Sequence, residues 1–248
     1  MISALAISYN EESNIEKFIE SLSFADEIII VDSNSTDKTV ELAKSLGATV
    51  LVREFDNFSN QKNFALQQAK HDWIVFFDLD ETISPELASE IKSSIANPGT
   101  FEAFKVNRNF HFMGKRIKYS GFQNDAVVRI FKKSNAQYSS NLVHETLEVD
   151  GNIKTLKHRS DHFSYKGFDH YNNKLTQYSQ LQAKTLYTKN LRPNLYHFLM
   201  RPCYRFWHQY FIRLGVLDGK EGFILAYTSA FAVFKRYLYL WTMYRNIE

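Results

Sequence analysis

Cysteine is almost missing from this chain of 248 residues. Cys203 stands alone, which excludes an intramolecular disulfide and fits a reducing compartment. The opening residues, Met1-Ile2-Ser3-Ala4-Leu5-Ala6-Ile7-Ser8, lack a basic start and a cleavage pattern. They do not read as a signal peptide, and the expected location is cytoplasmic, with peripheral contact at the inner face of the cytoplasmic membrane left open. Long hydrophobic runs are missing too. The stretch Gly222 to Phe234 is uncharged over 13 residues. As a helix it would span about 20 Å, short of a hydrocarbon core of roughly 30 Å, so no transmembrane helix is expected. No glycine-rich loop follows the first strand-like run, which removes support for a nicotinamide-binding or P-loop reading. Internal repeats and low-complexity tracts are absent.

What is present is enough apolar material for a sizeable core, 44% of the residues, in one large domain or one domain with an extension. The net charge of +3 hides an asymmetry. Residues 1–151 carry 15 Lys/Arg against 22 Asp/Glu, a balance of −7, whereas residues 152–248 carry 15 against 5, a balance of +10. The basic part is dense in aromatics and predicts contact with something anionic.

Short β-branched or apolar runs alternate with helical spacings through the first half. Residues 2–9, 28–31, 49–52 and 73–77 read as strands. Between them, Ile15, Phe18, Ile19 and Leu22, then Val40, Leu42, Ala43 and Leu46, and then the segment 57–70 read as helices. A further helix over 82–97 has Pro85 in its first turn. This rhythm predicts a mostly parallel sheet flanked by helices, with ligands beyond the carboxyl ends of the strands. Residues 101–150 read as added short strands, and Gly151-Asn152 as a turn. After residue 163 three helical stretches are expected, at 171–189, 195–214 and 221–245. Their basic and aromatic residues, among them Arg201, Arg205, Trp207, Arg213, Lys235 and Trp241, fit an interfacial helix pair on an anionic bilayer. Packing on the core or on a second copy is the alternative, and nucleic acid is not expected.

Three of the predicted strands end on polar groups: Asn10 and Glu12 after the first, Asp32 after the second, Asp78 and Asp80 after the fourth. The last case is the most informative. Trp73-Ile74-Val75-Phe76-Phe77 stops abruptly on Asp78-Leu79-Asp80-Glu81. In an extended segment Asp78 and Asp80 would point the same way. Two converging carboxylates call for a cation, and a hard divalent ion completed by substrate phosphates and water is the natural partner. The alternative is a solvent-facing strand end.

In order and spacing, Ser8-Tyr9-Asn10-Glu11-Glu12, the run from Glu27 to Thr39, Gln61-Lys62-Asn63-Phe64-Ala65-Leu66 and Phe77-Asp78-Leu79-Asp80-Glu81 resemble the family-2 nucleotide-sugar glycosyltransferases of the GT-A fold. Val128-Arg129-Ile130-Phe131-Lys132-Lys133 followed by Val143-His144-Glu145 resembles the branch with lipopolysaccharide-core β-glucosyltransferases. The resemblance implies a GT-A catalytic domain over 1–163 with a helical extension over 164–248 for acceptor, membrane or oligomer contacts, including a homodimer. It implies inverting transfer of a hexose, glucose in that branch, from a UDP-sugar to a saccharide or lipid-linked saccharide acceptor, with Mg²⁺ or Mn²⁺. Tyr9, Asn10, Glu12 and Asp32 would hold the uridine, Lys62 the nucleotide or its phosphates, Asp78 the ribose and metal side, and Asp80 the metal. His162, in Asp161-His162-Phe163-Ser164-Tyr165, could touch the diphosphate or metal, or be an ordinary structural histidine. Glu145 would be the catalytic base, with Asp125 the second choice; His144-Glu145 departs from the commoner Glu-Asp pair.

Two other readings compete. Asp78-Leu79-Asp80-Glu81-Thr82 also fits the first motif of haloacid-dehalogenase-type phosphatases, with Asp78 as nucleophile. No second acidic cluster of that type follows residue 82. A non-catalytic sugar-nucleotide-binding module carried to membranes by its C-terminal helices is the other.

Overall fold

The computed structural model describes residues 1–139, 146–165 and 167–247. The chain forms two compact units, Met1–Arg108 with Asp125–His162, and Asn109–Asn124 with Phe163–Glu248.

The first unit opens with β1 (Ile2–Ser8), α1 (Ile15–Ser21), β2 (Glu27–Asp32), α2 (Thr39–Ser45), β3 (Thr49–Val52), α3 (Phe58–Gln68) and β4 (Trp73–Phe76). β5 (Glu81–Thr82), α4 (Pro85–Ala96) and β6 (Phe101–Phe112) follow; the last residues of β6, from Asn109, and β7 (Lys115–Arg116) belong to the second unit. The chain then returns through β8 (Ala126–Lys132), β9 (Ala136–Tyr138), β10 (Leu147–Val149) and β11 (Asn152–His162). The main sheet runs β3-β2-β1-β4-β8-β6-β11-β5. Its first four strands pair in parallel, and β8 then joins β4 and β6 antiparallel. This is a mixed α/β sheet with a parallel block at one side, in a GT-A-like arrangement.

Side-chain alternation explains why the parallel strands read as unbroken apolar runs. Ala4, Ala6, Ile30, Val75 and Phe77 pack with Phe18, Leu22, Leu87 and Ile91 in one buried cluster. Leu5, Ile29, Val31, Ile74 and Phe76 pack with Ala65, Leu66 and Phe131 in another. The helix starts are chemically marked. The Asn57 side chain accepts from the Asn60 N–H, and the Ser84 side chain from the Leu87 N–H with Pro85 at the first position of α4. α2 begins at Thr39 without a side-chain cap from Lys38; the Asp37 carboxylate accepts instead from the Thr39 N–H and hydroxyl.

The second unit contains α5 (Phe168–Thr188), α6 (Leu195–Trp207) and α7 (Gly219–Arg245). The expected helix over 195–214 stops early. A π-helical turn covers His208–Ile212, Leu214 adopts left-handed backbone angles, and a 3₁₀ turn covers Gly215–Asp218. No helix among the described residues is long and apolar enough to cross a membrane.

Candidate active site

The site lies in the first unit, where β4 ends. The segment after Phe77 is not extended. The Glu81 N–H donates to the Asp78 carbonyl at 2.9 Å, closing a β-turn. The expectation that Asp78 and Asp80 point together by strand alternation therefore fails, because alternation holds only in extended chain. The two carboxylates meet different partners.

Asp78 faces cations. Its Oδ2 accepts from the Arg129 guanidinium, and its Oδ1 lies 3.9 Å from Lys62 Nζ. Burial alone would raise its pKa, but Arg129 first, then Lys62, hold it well below the usual carboxylate range. Arg129 reaches this place by register. β8 runs antiparallel to β4 with Val75 opposite Ile130, so the residue before Ile130, Arg129, stands at the carboxyl end of β4. Its guanidinium also donates to Glu81 Oε1 and lies 5.7 Å from the Phe77 ring centroid. Burial would lower the Arg129 pKa, yet Asp78 and Glu81 push it above its ordinary value, so it stays charged.

Glu81 is fully buried and also accepts from Arg108 at 3.0 Å. Arg108 in turn grips Asp125 by two parallel bonds of 2.9 Å, from Nε to Oδ2 and from an NH2 group to Oδ1. Lys62, 6% exposed, lies 5.3 Å from the Tyr138 ring centroid.

Asp80 is separate. Its Oδ2 lies 3.3 Å from His162 Nε2, and its Oδ1 is buried without a hydrogen-bond partner among the described residues. β5 and β11 bring these groups together, because His162 is paired with Glu81 in register. A buried carboxylate oxygen with no donor is costly unless something cationic meets it. Carboxylate and imidazole are suitable donors for a divalent ion that keeps water and phosphate oxygens in its shell. The residues present thus fit a metal at Asp80 and His162. Asp78 does not fit as a third ligand, since both its oxygens face fixed cations, and no cluster of three or more His, Cys, Asp or Glu forms a metal cage among the described residues.

The residues expected to hold the uridine do a prior job in the fold. Asp32 is fully buried, and it accepts from the Ser8 hydroxyl at 2.7 Å, the Ser35 N–H at 2.8 Å and the Ser35 hydroxyl at 2.6 Å. The side chain of Asn10, itself at φ 56°, accepts from the Thr36 N–H at 2.8 Å. Glu12 accepts from the Lys38 N–H at 3.0 Å. Asn10 and Glu12 stitch the loop after β1 to the loop after β2, and Asp32 ties the end of β1 to that second loop. Asp32 is buried in this scaffold, whereas Tyr9, which precedes Asn10 in the chain, is 59% exposed. Glu145 and His144 lie outside the described residues.

Residues 3–147 match the profile of Glycosyl transferase family 2. The chain belongs to that family. A glycosyltransferase of Rickettsia bellii, described as uncharacterized, is 34% identical to it over 95% of this chain and 84% of the relative. The lipopolysaccharide core biosynthesis glycosyltransferase LpsC of Rhizobium meliloti is 30% identical over 94% of this chain and 89% of the relative. Among solved structures, S. aureus TarS 1-349 in complex with UDP-GlcNAc superposes with a TM-score of 0.50 at 15% identity, over 99% of this chain and 92% of that one, and shares the fold. For a family 2 glycosyltransferase the phosphatase reading falls away, and the held Asp78 carboxylate is not presented as a nucleophile.

Sequence reasoning missed Arg129, Arg108 and Glu81 as site residues. The available signal was a lone arginine inside the apolar run Val127-Val128-Arg129-Ile130-Phe131, an arrangement that requires a buried anionic partner.

Proposed function

We propose that this family 2 glycosyltransferase transfers a hexose, glucose by its branch resemblance, from a UDP-sugar to a saccharide of lipopolysaccharide or another cell-surface glycan, with inversion and with Mg²⁺ or Mn²⁺. The observation that carries the reading is Asp80, with one carboxylate oxygen beside His162 and the other buried and unpartnered, at the end of the acid-tipped strand. The acceptor class follows the kinship with LpsC. The uridine assignment follows the resemblance of Tyr9–Glu12 and Asp32 to the family pattern.

In this reading Tyr9 covers the base, on a loop that Asn10, Glu12 and Asp32 hold in shape. Lys62 offers positive charge to the diphosphate, and Asp78 keeps Lys62 and Arg129 in place. Asp80 and His162 hold the divalent ion, which supplies charge neutralisation of the departing diphosphate. Glu145 takes the proton of the acceptor hydroxyl as the new bond forms to the anomeric carbon and the bond to the diphosphate breaks. Asp125 is the weaker choice for base because both its oxygens are committed to Arg108. The first unit is then the donor-binding and catalytic part, and the helical unit is left for acceptor, membrane or oligomer contacts.

Calorimetric titration of UDP, with Mn²⁺ and then with EDTA, tests this. Binding with metal that disappears on chelation is expected. Binding of equal strength under both conditions would remove the metal from the reading, and no binding would remove the nucleotide. Turnover of a UDP-sugar separates an enzyme from a non-catalytic binding module.

A further inference from the structure

The second unit carries an apolar projection that its own interior does not use. Between α6 and α7 the chain makes the π-helical turn His208–Ile212 and the 3₁₀ turn Gly215–Asp218. Along it Trp207 is 53% exposed, Ile212 55% and Leu217 60%, with Phe211 and Leu214 also exposed. Contiguous exposed apolar surface of this kind marks an interaction site.

This projection is held firmly from behind. The buried Asp218 carboxylate accepts from the Lys118 N–H at 2.9 Å, the Tyr119 N–H at 3.1 Å and the Ser120 hydroxyl at 2.8 Å. The Ser120 N–H donates to the Arg213 carbonyl at 2.9 Å, and Lys115 Nζ donates to the Asp218 carbonyl at 2.8 Å. The close approach of the two arms requires glycine, since a Cβ on Gly222 would lie 1.9 Å from the Gly215 carbonyl oxygen. The apolar side chains are therefore presented by a braced turn, not exposed by a loose one. Leu214 sharpens the point. It sits at φ 57°, ψ 28°, a region that disfavours leucine and suits glycine, yet its side chain is exposed. Local backbone strain around an outward apolar group points to a use for that group.

Charge identifies the occupant. Arg201, Arg205, Arg213 and Lys220 flank the turn in sequence, and the two acids that follow it are engaged, Asp218 buried and Glu221 paired with Lys115 at 2.7 Å. Aromatic and aliphatic tips flanked by basic residues, with the neighbouring acids already engaged, match the boundary between headgroups and acyl chains of an anionic bilayer. We propose that the Trp207–Leu217 turn is a preformed wedge that inserts into the surface of an anionic phospholipid bilayer and seats the enzyme there without spanning it. This inference is independent of the donor site.

The test is cosedimentation of the full chain with vesicles of phosphatidylglycerol and phosphatidylcholine, and with phosphatidylcholine alone. Binding to the anionic vesicles and its weakening by salt are expected. Leu214→Asp with Leu217→Asp is expected to weaken binding about tenfold for each leucine removed from the lipid. Leu214→Gly is the sharper variant. It is expected to melt no lower than the parent, since glycine relieves the backbone, and still to bind about tenfold more weakly. Absence of binding to anionic vesicles, equal binding to neutral ones, or parent-like binding by both variants would overturn the proposal. So would a concentration-dependent dimer in sedimentation that the same variants dissolve without any vesicle binding, because the surface would then meet a second copy.

Discussion

Replacing Arg129 by methionine is the most direct perturbation of the site's electrostatics. The guanidinium is 3% exposed and donates to both Asp78 and Glu81. Methionine fills much of the same volume without a charge. Glu81 keeps Arg108 at 3.0 Å, and Asp78 keeps Lys62 at 3.9 Å. Removing one partner of a buried ion pair costs about 3–5 kcal/mol. The surviving cations put this case near about 3 kcal/mol, the lower end of that range. At about 2–4 °C per kcal/mol for a chain of this size, the melting midpoint should fall by roughly 6–12 °C.

The pH dependence carries the same logic. Asp78 is held below its ordinary pKa in the folded protein, chiefly by Arg129 against the opposing effect of burial. A carboxylate depressed by folding contributes stability that is present above its unfolded pKa and is lost as pH falls through the folded one. Without Arg129 the folded pKa rises toward the unfolded one, so the part of the stability that acid removes through Asp78 becomes smaller and is gone at a higher pH. Scanning calorimetry of parent and Arg129→Met between neutral and acid pH measures both effects. A variant that melts within about 2 °C of the parent and keeps its acid profile would refute the claim that Arg129 holds the carboxylates together. Glu81→Gln in the Arg129→Met background should recover part of the loss, since replacing both partners costs less than orphaning one.

Asp80→Ala should abolish metal-dependent UDP binding in calorimetry while leaving the melting midpoint near the parent's; unchanged UDP affinity with Mn²⁺ would sink the metal assignment. Glu145→Gln should bind donor and lose transfer in a sugar-release assay, whereas Asp125→Asn should lose stability through Arg108; the reverse pattern would make Asp125 the base. Glu90→Gln tests an ion pair away from the site. Burial would raise the pKa of Glu90, but the N–H groups of Lys157 and His158 and the His158 ring lower it, so its contribution should be present above the ordinary carboxylate range and vanish in acid. Parent and Glu90→Gln melting points should differ at neutral pH and converge as pH falls.

The parallel block was legible because buried strands and amphipathic helices leave different periods in the sequence. The runs at 2–9, 28–31, 49–52 and 73–77 correspond to β1 through β4 with small differences at the ends. β11 was not legible. Asn152–His162 is mostly polar, with Leu156 and Ser160 as its buried residues, so it presents neither an apolar run nor a clean alternation. It matters because its last residue, His162, reaches Asp80. The break after α6 was hidden for another reason. Residues 195–214 keep a helical apolar spacing, and the turn is imposed by Asp218 and the Gly215–Gly222 contact, which are tertiary. At the site, the residue types were legible but their pairing was not. Arg129 and Asp78 lie 51 residues apart and meet only through the β4–β8 register.

That register also explains how four carboxylates can share one end of a sheet. Asp78, Glu81 and Asp125 each have a guanidinium partner, and Lys62 adds a third cation near Asp78. Asp80 is the acid left without a fixed positive partner, apart from a histidine whose charge depends on protonation. Counted with neutral His162, four carboxylates face Lys62, Arg108 and Arg129, leaving one negative charge in excess. The fixed cations neutralise the acids that must stay in place. Among the described residues both Asp80 Oδ1 and Glu81 Oε2 are buried without a hydrogen-bond partner, but Glu81 already holds two guanidinium groups, so the excess sits on Asp80, which is where an exchangeable cation gains most. Mutating either arginine should therefore damage the fold and the donor site together, whereas mutating Asp80 should damage the donor site alone.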